Sequence, residues 1–497
     1  MDEFISTVKN QEIPLHPLDT QAAFMNVPYH FFYANDAGTA ASYMPSETMR
    51  MAFYQALQKF PLLAGHLRSD GTGKTTVVVD RAQLNMPEYL ESTSDVDFAT
   101  LREAKFHHSA WPRGLSTTKA ITTAGASGHI KLLNVHVVRL HANSGVVVFV
   151  NVPHYVVDGA GFFTFVELWG TLCRAARTND PALRQEAVAR PLCFDRGLIG
   201  RSLPDKRTPL DTETVRVYTE SSLIADWLAW LSPVMRGRVL SRAKFSSNVV
   251  SHTFRVSRDA LTELRACVCA HLDELDVNVD DTHVLAALVS KMVAQAHAKC
   301  REQHEQSRSM FAALASWLAG LVSGSETKSS QSLNLLADVR HGLDIVEHNY
   351  MGNGLIPHNA QCPLELLETP TTAKSLADAT SIVSRVYAGA DAPRVASFID
   401  MISAEPSCFT RPMVYFARNP TSLVITNETG FKLYAADFGD GLPEWVCTIP
   451  SFVANFIGFL PSPPSSTDII VNITLKQPVM QHVLKNEFWR DLATIVY

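Results

Sequence analysis

Apolar residues recur along this chain at two spacings. Met49, Phe53, Ala56, Leu57 and Phe60 fall at helical intervals, which predicts a helix within residues 47–68 that Pro61 brings to an end. The turn-forming run Asp70-Gly71-Thr72-Gly73-Lys74 leads into strand-like alternation over Thr75–Asp80. His129–Arg139 and Gly145–Val152 read as two strands joined by a turn at Ala142-Asn143-Ser144, and a helical pattern follows from about Gly161 to Ala176. Periodicity then fades. Residues 191–222, with Pro191, Pro204, Pro209 and several charges, have the look of a linker. Beyond it the pattern predicts a strand at Ser251–Val256, a helix from Ala260 to about Leu272, and a second helix over Thr282–Lys299 with Asp281 as its N-cap. Further strands are predicted at Leu333–Val339, Met413–Phe416, Leu423–Thr426 and Ile469–Thr474. This mixture is α/β, with a main boundary in the linker: a domain over residues 1–195, a crossover over 196–245, and a domain over 246–497.

Two stretches are apolar throughout: Leu223–Leu231, and Met310–Val322 with the polar run 323–332 after it, which reads as a mobile loop. Both fall short of the roughly 20 residues that a membrane span needs. Each reads either as a helix packed on the core or as a hydrophobic lip meeting a lipid-like acceptor or a membrane surface. The sequence leaves both open.

Composition narrows the function. A length of 497 residues favours two or more domains, and 46% hydrophobic against 19% charged residues is an ordinary globular balance. A net charge of −6 gives no basic footprint for nucleic acid. Eight scattered cysteines do not resemble a disulfide framework in a chain of this size. The start, Met1-Asp2-Glu3-Phe4, lacks the basic and apolar regions of a secretion signal. A reduced, cytoplasmic setting is the expectation.

Several motifs fail on inspection. Gly71-Thr72-Gly73-Lys74-Thr75 resembles the end of a phosphate loop, but Arg68 stands where the pattern needs its first glycine, and a hairpin turn explains the run. Gly125-Ala126-Ser127-Gly128 lacks the spacing of a nucleophile elbow. Cys267-Val268-Cys269 has no second pair, so no metal site is expected.

One constellation carries chemistry. The apolar run Val147–Val152 ends at Pro153-His154, and Asp158-Gly159 follows four residues later, before a helix. Acyl transfer from a thioester to a hydroxyl needs a base for the alcohol proton, and an imidazole near neutral pH suits that task. His154 meets this need. Asp158 orients the loop, by touching the histidine or by pairing with an arginine elsewhere, and Gly159 removes a side chain where a substrate must come close. Alone, a histidine four residues before an aspartate is a weak signal. Far downstream stands a second compact motif, Tyr434-Ala435-Ala436-Asp437-Phe438-Gly439-Asp440-Gly441-Leu442-Pro443.

Together these segments resemble the BAHD family of acyl-CoA-dependent acyltransferases, particularly its fungal members. The family signature is His-x-x-x-Asp followed later by Asp-Phe-Gly-Trp-Gly. The first is intact at His154–Asp158, and the second is present with Asp440 in place of tryptophan. Phe60–Leu67, Ala337-Asp338-Val339-Arg340 and Tyr350-Met351-Gly352-Asn353 match other family segments. The resemblance implies two chloramphenicol acetyltransferase-like domains, each a mixed β-sheet flanked by helices, with a channel between them. It implies His154 as general base and Asp158 as a structural carboxylate paired with Arg340. It places Gly159, Asn353, Asp437, Gly439 and Gly441 toward the CoA side, with Thr426 and Asn427 near the channel as structural support. Asp437 itself reads as a turn aspartate. Acyl-CoA would be a co-substrate and a small-molecule alcohol the acceptor, with no permanent cofactor, no metal and a monomeric enzyme. Asp440 puts in doubt the packing role of the missing tryptophan, and its charge would oppose a CoA phosphate. Rival readings are a silent binding protein on the same scaffold, amide-forming transfer, and a condensation-type enzyme. The last usually has a second histidine where this chain has Pro153.

Overall fold

The computed structural model describes the chain apart from residues 22–24, 37–41, 71–73, 119–120, 125–127, 221, 243–247, 273–277, 308–328, 389–390, 405–409, 420 and 452. The apolar stretch 310–322, most of the polar run after it, the glycines of the hairpin tip at 71–73 and most of the 125–128 run lie outside the described residues.

The strands run in chain order as β1 (Gln11–Pro14), β2 (Asn26–Ala34), β3 (His66–Ser69), β4 (Thr75–Val79), β5 (Glu88–Thr93), β6 (Asn134–Arg139), β7 (Gly145–Pro153), β8 (Val249–Val256), β9 (Ser330–Asp338), β10 (Leu355–Pro363), β11 (Leu423–Asn427), β12 (Trp445–Thr448), β13 (Phe456–Pro461), β14 (Ile469–Lys476) and β15 (Ala493–Ile495). They form three sheets, ordered β1-β4-β3, β12-β2-β7-β6-β5 and β10-β9-β11-β13-β14-β8-β15. Both large sheets are mixed: β6 pairs parallel with β5 and antiparallel with β7, while β11 pairs parallel with β9 and β13. β3 and β4 pair antiparallel across the 70–74 turn.

Every residue of β7 is buried, as its continuous apolar run requires of a strand covered on both faces. Helices α1 (Ser46–Lys59) and α2 (Gly159–Thr178) contribute Phe53, Phe162, Phe165 and Trp169 to the first core, which also takes in Leu433, Phe438 and Trp445 from far downstream. Strand β12 thus returns the C-terminal part of the chain to the N-terminal sheet. A second core lies between the seven-stranded sheet and later helices over Asp281–Ser307 and Ala373–Ala388. A third, smaller cluster joins Leu18, Ile199, Val339 and Tyr350.

Three local expectations change. The presumed linker, residues 191–222, carries two short helices, Gly197–Ser202 and Thr212–Thr219, and the crossover continues after it as α3 (Leu223–Trp230) and α4 (Pro233–Arg242). Met413–Phe416 lies in the helix Arg411–Arg418, whose Pro412 sits at its start, where a missing N–H costs nothing. Asp281 is inside its helix. The capping carboxylate is Asp280, which accepts the His283 N–H at 2.8 Å, and Asp281 pairs instead with Arg258 and Arg265.

Candidate active site

The chain leaves β7 at Pro153, turns through His154–Val157 and enters α2. Asp158 is the N-cap, its Oδ1 accepting the Gly161 N–H at 3.3 Å. The His154 backbone N–H donates to the Met25 carbonyl at 2.9 Å, which ties the turn to the start of β2. His154 is partly exposed, while its neighbours Pro153 and Tyr155 are buried.

The ring of His154 is held through one nitrogen. Its Nδ1 lies 2.7 Å from Asn353 Oδ1. Asn353 Nδ2 donates to Asp19 Oδ1 at 2.8 Å and to the His154 carbonyl at 2.8 Å, and the Asn353 backbone N–H donates to the same Asp19 oxygen at 3.0 Å. Both partners of Nδ2 only accept, so the amide orientation follows from the network. The oxygen facing the imidazole can only accept, so in the neutral ring the proton sits on Nδ1 and Nε2 carries the lone pair. Asp19 is fully buried and meets Arg196 Nε at 3.1 Å, and Arg196 Nη2 donates to the Val156 carbonyl. Residues from the start of the chain, the crossover and the C-terminal part thus converge on one imidazole.

Asp158 is clasped separately. Its Oδ2 meets Arg340 Nη2 at 2.9 Å and the Gly354 N–H at 3.0 Å. Arg340 also donates to the Gly352 carbonyl at 2.7 Å and the Tyr350 carbonyl at 3.1 Å, and pairs with Asp338 at 3.0 Å. Burial alone would raise the Asp158 pKa. The Arg340 charge and the Gly354 and Arg340 hydrogen bonds outweigh it and hold the carboxyl below its ordinary value. At Gly159 a Cβ would stand 2.3 Å from Phe431 Cε2, so the missing side chain makes room for Phe431.

A model of the Transferase family matches residues 5–222. Over that stretch the chain is similar to this family, in keeping with the resemblance of its two motifs to the BAHD-type acyltransferases. No curated protein matches it. Among solved structures it is similar to TRI101 of F. graminearum complexed with coenzyme A and deoxynivalenol, at 16% identity and a TM-score of 0.70, covering 98% of this chain and 100% of that one. It is similar to TRI101 of F. sporotrichioides complexed with coenzyme A and T-2, at 15% identity and a TM-score of 0.72, covering 98% and 100%. Vinorine synthase matches at 16% identity and a TM-score of 0.60, covering 96% and 95%. At these identities the structures show a shared fold.

The second BAHD motif is a turn clamped onto α2. Asp437 Oδ1 accepts the Gly439 N–H at 2.8 Å and the Gly441 N–H at 3.2 Å. Gly439 has φ +96°, and a Cβ there would also press on Arg177 at 2.8 Å, so only glycine fits. Phe438 is fully buried edge-on against Trp169, with centroids 4.7 Å apart, and that burial contributes about 2–3 kcal/mol. Asp440, the departure from the BAHD pattern, meets Arg177 Nη2 at 2.6 Å and accepts the Met44 N–H at 2.8 Å. Its charge is compensated inside the protein. Arg174 and Arg177 lie 16–19 residues along α2 from Asp158, or roughly 24–28 Å at about 1.5 Å per residue. The motif is therefore remote from the imidazole.

Thr426 lies in β11, and Asn427 is exposed, its Oδ1 accepting from the Thr429 N–H and hydroxyl. Among the described residues, no hydrogen bond joins either to His154. Sequence reasoning missed Asp19, Arg196 and Glu428. The Glu428 carboxylate accepts a short hydrogen bond from the Tyr29 phenol, whose ring contacts Phe162 and Phe163 at the start of α2. Burial pushes Glu428 up to about 7 against the opposing effect of the Tyr29 hydrogen bond. Only its place in the run Thr426–Phe431, just before the second motif, could have pointed to it.

Proposed function

We propose that this enzyme transfers an acyl group from acyl-CoA to a hydroxyl of a secondary-metabolite or glycolipid-like acceptor, with His154 Nε2 as general base. The supporting observation is the Asn353 hydrogen bond that commits Nδ1 to donating and leaves Nε2 as the basic atom. The transfer is direct. As Nε2 takes the hydroxyl proton, the oxygen attacks the thioester carbonyl. The tetrahedral intermediate collapses with cleavage of the carbon–sulfur bond, and the imidazolium returns its proton to the CoA thiolate. Asn353 acts as an orienting residue, since its amide is committed to His154 and Asp19. Asp158 and Arg340 hold the two segments that carry His154 and Asn353. The Asp437–Gly441 turn shapes the contact between the two parts of the chain.

The TRI101 complexes, each holding coenzyme A with a second small molecule, support a channel shared by donor and acceptor between domains over residues 1–195 and 246–497. We place the enzyme in the cytoplasm as a monomer. No described helix is long and apolar enough to cross a membrane. The internal pairing of Asp440 removes the feature that favoured a silent binding protein.

Free-thiol release and product mass, measured with acetyl-CoA and longer acyl-CoAs against a panel of alcohols and amines, test the reading. Ester products are expected, and amide products alone would replace O- with N-acylation. His154→Ala should lower turnover by about 10²–10⁴-fold with an unchanged melting temperature. Near-wild-type turnover in that variant would remove His154 as the base.

A further inference from the structure

The crossover carries a surface that acyl transfer does not use. Helix α3 turns Ala225, Leu228 and Ala229 inward and exposes Leu223 (89%), Ile224 (57%), Trp227 (53%) and Trp230 (75%), spaced i, i+1, i+4 and i+7 on one face. Met235, at 46% exposed, continues the patch on α4. Five of the fourteen large exposed hydrophobic residues among the described residues fall within these thirteen positions, so this is a patch and not ordinary scatter. Met235, Arg238 and Arg242 share an exposed stripe of α4 at i, i+3 and i+7, and α4 contains no acidic residue. The acid of α3, Asp226, pairs with Arg411 at 3.1 Å.

The patch is held firmly. Arg236 donates to the carbonyls of Leu228 at 3.1 Å and Leu231 at 2.8 Å, which closes the C-terminal end of α3. The same guanidinium donates to the Tyr155 hydroxyl at 3.2 Å, and Tyr155 follows His154 in the chain. Thr410 Oγ1 anchors the other face by donating to the Ala225 carbonyl at 2.7 Å. One arginine therefore links the exposed face to the turn that carries the imidazole.

We propose that α3 and α4 dock the enzyme on an anionic lipid bilayer. Trp227, Trp230, Leu223 and Ile224 enter the headgroup boundary, where an indole buries its apolar body and keeps its N–H among polar groups. Arg238 and Arg242 lie alongside and meet lipid phosphates. With a net charge of −6, attraction to an anionic surface has to come from such a local stripe and not from the protein as a whole.

Vesicle co-sedimentation and tryptophan fluorescence of the full chain provide the test. Vesicles of phosphatidylcholine with phosphatidylserine should bind the wild type and shift its emission to the blue. The triple variant Leu223→Ser/Trp227→Ser/Trp230→Ser should bind at least ~10-fold more weakly, and Arg238→Glu/Arg242→Glu should abolish the preference over pure phosphatidylcholine. Unchanged melting temperatures would show that the variants fold, and the single variant Trp230→Ser serves if the triple variant does not. Absence of wild-type binding, or equal binding by the folded variants, would overturn the proposal. So would a wild-type dimer in light scattering that the triple variant dissolves, because the face would then be an interface between copies.

Discussion

Two acid–arginine arrangements flank helix α2, and they differ in burial. At its start, Asp158 meets Arg340 with side-chain exposures of 1% and 8%. At its far end, Asp440 meets Arg177 at 15% and 23%, and Asp437 meets Arg174 at 20% and 41%. The first clasp costs much desolvation and is repaid by further hydrogen bonds from Gly354 and to Gly352 and Tyr350, so removing one partner strands a buried charge. The second is wetter, and Phe438 under Trp169 supplies most of what holds that turn. The same residue chemistry thus fixes the turn that carries His154 at one end of α2 and decorates a mainly apolar contact at the other.

The largest break in this comparison is expected from Asp158→Asn. It should cost about 3–5 kcal/mol of unfolding free energy by denaturant titration, since Arg340 is left buried with a weaker partner. A loss near zero would place the clasp among surface pairs.

Next comes the contrast with Glu428, a part-buried carboxyl that no cation pairs with among the described residues. Its pKa is raised, so its contribution is fully present below the unfolded carboxylate range near 4.5 and is lost as pH rises through about 7. Glu428→Gln should therefore flatten the stability profile between about pH 5 and 8, by up to about 3 kcal/mol. Asp158 runs the other way. Its pKa is lowered, so its contribution is present above the ordinary carboxylate range and lost as pH falls through the depressed value. The smallest effect is expected from Arg177→Ala, under about 1 kcal/mol in the same titration. A loss comparable to that of Asp158→Asn would erase the distinction between the two ends of α2.

How much of this was legible in the sequence depends on the range of each signal. The continuous apolar run of β7 and the helical spacing of α2 are local, and both elements appear where the pattern put them. Met413–Phe416 is helical and not extended: four residues are too few to separate strand from helix, and Pro412 marks a helix start. The crossover looked like a linker because its helices are short and interrupted by prolines, so their periods never accumulate. Asp158 and Arg340 are 182 residues apart, and only the family resemblance related them. Asp19 had no comparable sign, since nothing in His16-Pro17-Leu18-Asp19 marks a buried carboxylate that will meet an asparagine 334 residues away. The return of β12 to the first sheet is likewise a tertiary fact without a local signature.

The central claim is that Asn353 fixes the proton of the neutral His154 ring on Nδ1 and so leaves Nε2 to act. Nitrogen-15 NMR of histidine-labelled enzyme, with His154 assigned by comparison with His154→Ala, measures this directly. The account predicts a protonated Nδ1 and an unprotonated Nε2 in the neutral ring of the wild type. It also predicts loss of that bias in Asn353→Ala, together with a fall in turnover of about 10–100-fold. A wild-type ring protonated on Nε2 would contradict it.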